Sequence, residues 1–377
     1  MSRQKSSPRF HFTGSAVLLS ALVFLVPALK EGNPGLYLLA VLVPSVLLFS
    51  TTLLARVFSL DRMILSLALF LCAMGIAALA LSGTDAARDQ ALRCCAGLAA
   101  LLTGGVLIRS LSPSILTSVC TAFLGLLLLT GKLLSPDLNL PLTEAAQALL
   151  LISFASLLSR QGPVPALLLA FAVTALLLIR DDIADAWLWS LAVLALLFAA
   201  DGRPAVALSG LAGVLLCGFG SFFLYHTGTV PRNDGILSVM ISAGAAGAEP
   251  LPAEFASLDT DCLFPLLVGR FGLIFGGLAA LLFLPLTLRG ASVASFARAR
   301  FHAVLAMGIT LLLALRTLSA LLSLFGILPL SGPDVPLLTA SLPALCAQLF
   351  LLGLLCGISG RNDADLAEDA HLAMLAK

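Results

Sequence analysis

The chain alternates long apolar runs with short polar punctuation. A transmembrane helix needs about 20 predominantly apolar residues. Measured against that length, the runs predict twelve spans, at 15–30, 36–56, 62–82, 91–108, 114–133, 143–159, 164–179, 183–200, 204–226, 262–288, 301–328 and 337–358. The expected fold class is therefore all-α: a polytopic transmembrane helical bundle. The first run follows Arg3, Lys5 and Arg9, a basic stretch like that of a signal peptide. No small-x-small cleavage site follows it, so it reads as a retained anchor.

Composition settles the solvent. Of 377 residues 60% are hydrophobic and 11% charged, with mean hydropathy +1.08. Soluble domains average about 45–50% apolar and about 25% charged, so this chain has too little polar surface for water and needs lipid. Its net charge of +1 gives no field that would gather nucleic acid. The eight cysteines sit mostly in apolar runs, without paired C-x-x-C motifs, and read as small buried hydrophobes rather than zinc ligands. The four histidines are scattered and form no H-E-x-x-H motif.

Charge orients the bundle. With the N-terminus in the cytoplasm, thirteen lysines and arginines fall on inner loops and seven on outer ones, leaving Arg316 within a span. The positive-inside rule favours that arrangement, and an even number of spans returns the C-terminus to the cytoplasm. Acids gather outside, among them Asp137, Glu144, Asp181, Asp182, Asp185, Glu254, Asp259 and Asp261. The longest loop, 227–261, is also outside; loops of that length are more often functional than idle. Trp187 and Trp189 follow the 180–185 acids, where an interfacial aromatic belt is expected. The tail, 359–377, reads as a short amphipathic or disordered end.

Four blocks resemble one family. Residues 259–276, DTDCLFPLLVGRFGLIFG, are similar to the signature H-T-D-F-I-F-A-V-x-x-E-E-x-G-L-x-G of the SEDS family (shape, elongation, division and sporulation proteins of the FtsW, RodA and SpoVE type), keeping Thr260, Asp261, Phe264, Gly272 and Leu273. TEAAQALL at 143–150 is similar to S-E-L-A-K-L-A-L and keeps Glu144. RDDIADA at 180–186 is similar to Q-P-D-L-G-T-A, and GILPLSGPDVPLL at 326–338 to G-L-L-P-x-T-G-x-x-L-P-F-x. The run 241–248, ISAGAAGA, resembles the family's small-residue stretch before the signature; it would allow a tight re-entrant turn or a close helix contact, or be a flexible loop. The resemblance covers residues 62–358. It implies a SEDS-type ten-helix core, with two extra N-terminal spans in residues 1–61.

The departures are specific. The acid pair after the signature is Gly269 and Arg270, and the family lysine three residues after Glu144 is Gln147. The glutamine of the penultimate span is Arg316, and the S-Y-G-G-S stretch is replaced at 339–343.

The resemblance implies a peptidoglycan glycosyltransferase of the bacterial cytoplasmic membrane, polymerising lipid II (undecaprenyl-pyrophosphate disaccharide-pentapeptide) with a class B penicillin-binding protein as partner. Such a reaction needs a base for the acceptor hydroxyl, and positive charge, from lysine or arginine or from a divalent cation (Mg or Mn), for the departing pyrophosphate. Asp261 matches the family's catalytic aspartate, against the plainer reading of an interfacial acid opening a helix. Asp182 matches a second aspartate, for a metal or for positioning the acceptor; the alternative is a helix cap. Glu144 fits a first-turn acid as well as a catalytic one. Arg316 is unusual on physics alone, since a cation within a span costs about 2.5–3.5 kcal/mol on insertion scales. It is expected to point inward, onto an acid or the substrate pyrophosphate. Arg270 either snorkels to the interface or helps hold that pyrophosphate. Two rival readings stand beside the polymerase: a non-catalytic scaffold of the same fold for a transpeptidase, and a flippase or transporter of lipid-linked precursors.

Overall fold

The computed structural model describes residues 9–32, 34–80, 83–134, 142–180, 182–201, 240–245, 247, 263–325 and 334–375. Among these residues there is no strand. The helices are α1 (Arg9–Glu31), α2 (Pro34–Phe49), α3 (Arg62–Ala80), α4 (Thr84–Ser110), α5 (Ile115–Leu134), α6 (Thr143–Arg160), α7 (Pro163–Ile179), α8 (Ile183–Asp201), α9 (Leu263–Leu281), α10 (Phe283–Phe296), α11 (Arg300–Leu324) and α12 (Leu342–Leu375). A π-helical turn, Ser50–Leu54, and one further turn, Ala55–Val57, continue α2. Seven described helices are long and apolar enough to cross a membrane. The chain is an all-α integral membrane bundle. The predicted span at 204–226 lies outside the described residues.

Three elements differ from the sequence expectation. The run predicted at 262–288 is a helix broken at Gly272 (φ 88°, ψ 167°), followed by α10, which extends to Phe296. The amides freed by that break find acceptors in the small-residue run: Leu273 N–H donates to Gly244 O (3.1 Å) and Ile274 N–H to Ala245 O (3.4 Å). A Cβ at Gly247 would strike the Arg270 carbonyl, and one at Gly272 the Ala245 carbonyl. Only glycine permits both the positive φ and this approach. The last span starts at Leu342 rather than 337, because 334–341 is non-helical chain, buried over 335–340, and its helix continues through the tail to Leu375. Trp189, expected at the interface, is buried in the core. It lies on the same face of α8 as Ala186, Val193 and Leu196, the stripe that faces the bundle.

Small residues set the closest helix pair. The α4–α12 contact is the most extensive in the bundle. On α12, Gly353-x-x-x-Gly357 lies against the backbone of α4; a Cβ at Gly353 would strike the Leu101 carbonyl. Without a hydrophobic drive between helices in lipid, such close packing and interhelical hydrogen bonds hold them together. Ser153 donates to the Ser118 carbonyl (2.8 Å), joining α6 to α5.

At the end of the bundle where α3 begins, Asp61 gathers three helices. Its Oδ1 accepts the Met63 and Ile64 amides, at 2.9 and 3.3 Å, capping α3. Its Oδ2 accepts Arg289 Nη2 of α10 (2.6 Å) and Ser359 Oγ of α12 (2.7 Å). Burial pushes the Asp61 carboxyl up, but the Arg289 guanidinium and the hydrogen bonds from Ser359, Arg289 and Ile64 outweigh it and hold the group below its ordinary value of 3.8.

Two outcomes follow from this packing. Gly353→Val is expected to lower the thermal midpoint in detergent, by about 1–3 kcal/mol of overpacking; Gly277→Val, where a Cβ meets nothing within 4 Å, leaves it unchanged. Because the folded Asp61 carboxyl lies below its unfolded value, its stabilisation is complete above pH 3.8 and is lost as pH falls further. Asp61→Asn is therefore expected to lower the midpoint at pH 7, with the gap from the parent protein shrinking in acid.

Candidate functional site: the Arg316 cluster

At the opposite end, where α6 and α8 begin, the polar residues of the spans converge. Arg316 lies eight residues before the end of α11, about 12 Å along the axis, two turns deep rather than at mid-span. Its Nη1 donates to Glu144 Oε1 (2.9 Å) and its Nη2 to Gln147 Oε1 (2.5 Å), both on the first turns of α6. Asp185 Oδ1 in the first turn of α8 is 3.5 Å from Nη2. The Arg316 side chain is 14% exposed and that of Glu144 21%. Position explains the meeting: residues 144 and 147 are one turn apart and share a face.

A second ion pair adjoins the first. Arg180, ending α7, lies 2.7 Å from Asp182 Oδ2 and donates to Thr143 Oγ1 (3.1 Å). Thr143 precedes Glu144, so α6 links the two pairs. The Asp182 carbonyl accepts Ala186 N–H (3.0 Å) and opens α8, while its Oδ2 faces Arg180.

A small cavity of about 20 Å³, room for about one water-sized group, lies beside Arg316. Glu144, Gln147 and Gln348 line its polar wall, and Ile309, Leu312, Leu313, Ala347, Leu351 and Leu352 its apolar one. Glu144 Oε2 and Gln147 Nε2 are buried with no hydrogen-bond partner among the described residues. Asp334 is close enough to act electrostatically on Glu144.

The candidates from the sequence therefore separate. The structure brings Glu144, Arg316 and Asp185 together, and Asp182 into the adjoining pair. Arg270 sits on α9 two residues before the break. Asp261 lies outside the described residues. Gln147 seemed to remove the cationic partner of Glu144; the structure supplies that cation from α11 instead. Gln348 and Asp334 escaped the sequence reading. A lone glutamine in the run ALCAQLFLL carries the same signal as Arg316, a polar group that lipid will not accept. The described carboxylates do not fit a divalent cation by themselves: no three acids, histidines or cysteines form a ligand set, and Glu144 and Asp182 each face an arginine.

The comparisons with known proteins agree on one family. The family model FtsW/RodA/SpoVE, described as a cell cycle protein, matches residues 249–364. A probable peptidoglycan glycosyltransferase FtsW of Geobacter sulfurreducens is 32% identical over 129 residues, 34% of each chain. One of Geobacter metallireducens is 26% identical over 258 residues, 60% of this chain and 68% of the relative. The chain thus spans about a third of the length of the first of these relatives. Among solved structures, the rod shape determining protein RodA of Thermus thermophilus superposes with TM-score 0.59 at 19% identity, covering 80% of this chain and 97% of its own. A chain from a peptidoglycan synthase complex that coordinates polymerisation and crosslinking gives TM-score 0.60 at 18% identity, covering 81% and 98%. These likenesses show the fold.

Removing one partner of a buried ion pair strands the other. Arg316→Met is expected to cost roughly 3 kcal/mol. Adding Glu144→Gln to it recovers part of that loss. A double-mutant cycle of thermal or denaturant unfolding checks the coupling; additive effects would show that the contact carries no energy.

Proposed function

We propose that the chain is a member of the FtsW/RodA/SpoVE family of cell cycle proteins, which it resembles over residues 249–364, and that it polymerises lipid II at the outer face of the bacterial cytoplasmic membrane. Both termini are cytoplasmic in this reading, and a class B penicillin-binding protein is its partner. Residues 62–358 form the catalytic core, and the N-terminal helices of residues 1–61 are an addition to it. The observation that carries the proposal is that the family match at 249–364 includes Asp261, while Glu144 sits in an ion-paired cluster at the end where α9 begins.

The acceptor sugar hydroxyl attacks the anomeric carbon of the donor, and the bond from that carbon to the pyrophosphate oxygen breaks. Asp261 takes the hydroxyl proton as general base. Asp182 positions the acceptor, and Arg270 offers charge to the leaving lipid pyrophosphate. Glu144 and Arg316, neutralising one another, hold the wall of the cleft. Because Gly269 and Arg270 stand where the family has an acid pair, a scaffold that keeps the fold without turnover is the second reading.

One reconstitution separates the two. Purified chain with its penicillin-binding partner and lipid II, with and without Mg²⁺ or Mn²⁺, is expected to yield glycan chains, and Asp261→Asn to abolish them. Gel analysis that finds no chains under any of these conditions favours the scaffold.

A further inference from the structure

We propose that Gln348 is a substrate-positioning residue, whose carboxamide completes, with Gln147 and Glu144, a subsite for an uncharged hydroxyl or amide group of the lipid-linked sugar. The inference rests on the polymerase reading above and extends it to a residue that no motif marks.

Gln348 stands between two things that need polar groups. One is the non-helical segment 334–341, where Val335, Leu337 and Leu338 are fully buried and Leu337 has φ +65°. Non-helical chain at membrane depth must have its backbone groups satisfied. The Leu337 N–H donates to Gln348 Oε1 (2.7 Å), and Gln90 Nε2 donates to the Thr339 carbonyl (3.0 Å). The other is the cavity beside Arg316, which Gln348 also lines.

Donor and acceptor chemistry fixes which way each amide faces. A backbone N–H only donates, so the Gln348 oxygen must point at Leu337, which leaves its N–H₂ on the other side. An arginine only donates, so the Gln147 oxygen must point at Arg316; its Nε2 is buried without a described partner. Glu144 gives Oε1 to Arg316 and keeps a buried, unpartnered Oε2. The wall thus presents the Gln147 amide donor and one carboxylate acceptor that have no partner among the described residues, with the Gln348 N–H₂ beside them.

Charge selects the ligand class. Arg316 is already shared by Glu144 and Gln147, with Asp185 at 3.5 Å, and Asp334 lies within electrostatic reach of Glu144. An entering phosphate would meet the free oxygen of the Glu144 carboxylate and an arginine already engaged. A neutral hydroxyl or acetamido group meets matched donors and an acceptor, and leaving such buried groups unmatched is costly.

The test compares lipid II with undecaprenyl pyrophosphate, which lacks the sugar, by thermal shift on the purified full chain. Gln348→Glu keeps the acceptor for Leu337 but loses the N–H₂; Gln348→Met loses both. The wild-type protein is expected to gain more from lipid II than from undecaprenyl pyrophosphate. Both variants should need about tenfold more lipid II for the same shift, while their response to undecaprenyl pyrophosphate is unchanged. Without lipid, Gln348→Glu should melt near the wild-type midpoint and Gln348→Met lower. Variants that respond to lipid II as wild type does, or that lose both responses equally, overturn the subsite and leave the polymerase reading standing. Wild type that responds to neither lipid overturns both.

Discussion

A guanidinium two helical turns inside an apolar span has to be neutralised where it lies. Lipid offers the Arg316 side chain no partner. Glu144 and Gln147 therefore have to stand beside it, with Asp185 next to them. That requirement fixes the first turns of α6 and α8 against α11. It also places α7, the short helix between them, whose terminal Arg180 then pairs with Asp182 and reaches Thr143. At the other end Asp61 imposes a similar order on α3, α10 and α12. Between these two polar pins the bundle is apolar and closely packed, and the pins decide which helices may be neighbours.

The Arg316 contact also makes sense of two sequence departures that look like losses when taken singly. Against the pattern of the family that the sequence resembles, Gln147 stands on α6 where a lysine is expected and Arg316 on α11 where a glutamine is expected. In the structure these two side chains are hydrogen-bonded to one another. A cation and an amide have exchanged helices, and Glu144 keeps a positive partner, now from across the interface. The substitution is not conservative in detail: an arginine presents a planar fork that engages Glu144 and Gln147 together, which a lysine's point charge would not.

The helices were legible because run length is a direct physical signal: a bilayer demands about 20 apolar residues, and α2 through α8 fall close to the runs that predicted them. Burial of Arg316 was legible for the same reason, since cost in lipid does not depend on knowing the partner. What run length could not reveal is where backbone leaves the helix inside an apolar stretch. Nothing in GRFGLIFGG distinguishes the Gly272 break from an ordinary helical glycine until Gly244 and Ala245 arrive to take the freed amides. Leu337 and Leu338 read as span for the same reason; their apolar side chains are buried, but the Leu337 amide is held by Gln348 and the neighbouring Thr339 carbonyl by Gln90. Asp61 was hidden by its position beside Arg62, where a helix-capping acid looks ordinary until Arg289 and Ser359 close over it.

The irregular segments are not spread evenly. The break at Gly272 with its small-residue partner, the non-helical 334–341 chain and the Arg316 cluster all lie toward the end where α6, α8, α9 and α12 begin. The opposite end holds the closed Asp61 network, with irregular backbone in the π-helical turn Ser50–Leu54 and the link from it to Asp61. In lipid, non-helical backbone persists only where protein buries it or where it lines a polar cavity. Each such segment is costly to build, and here they accumulate around polar atoms that have no internal partner. Such a cluster of buried polar groups at one end suits the entry of a polar head group there, as the proposed polymerisation of lipid II requires.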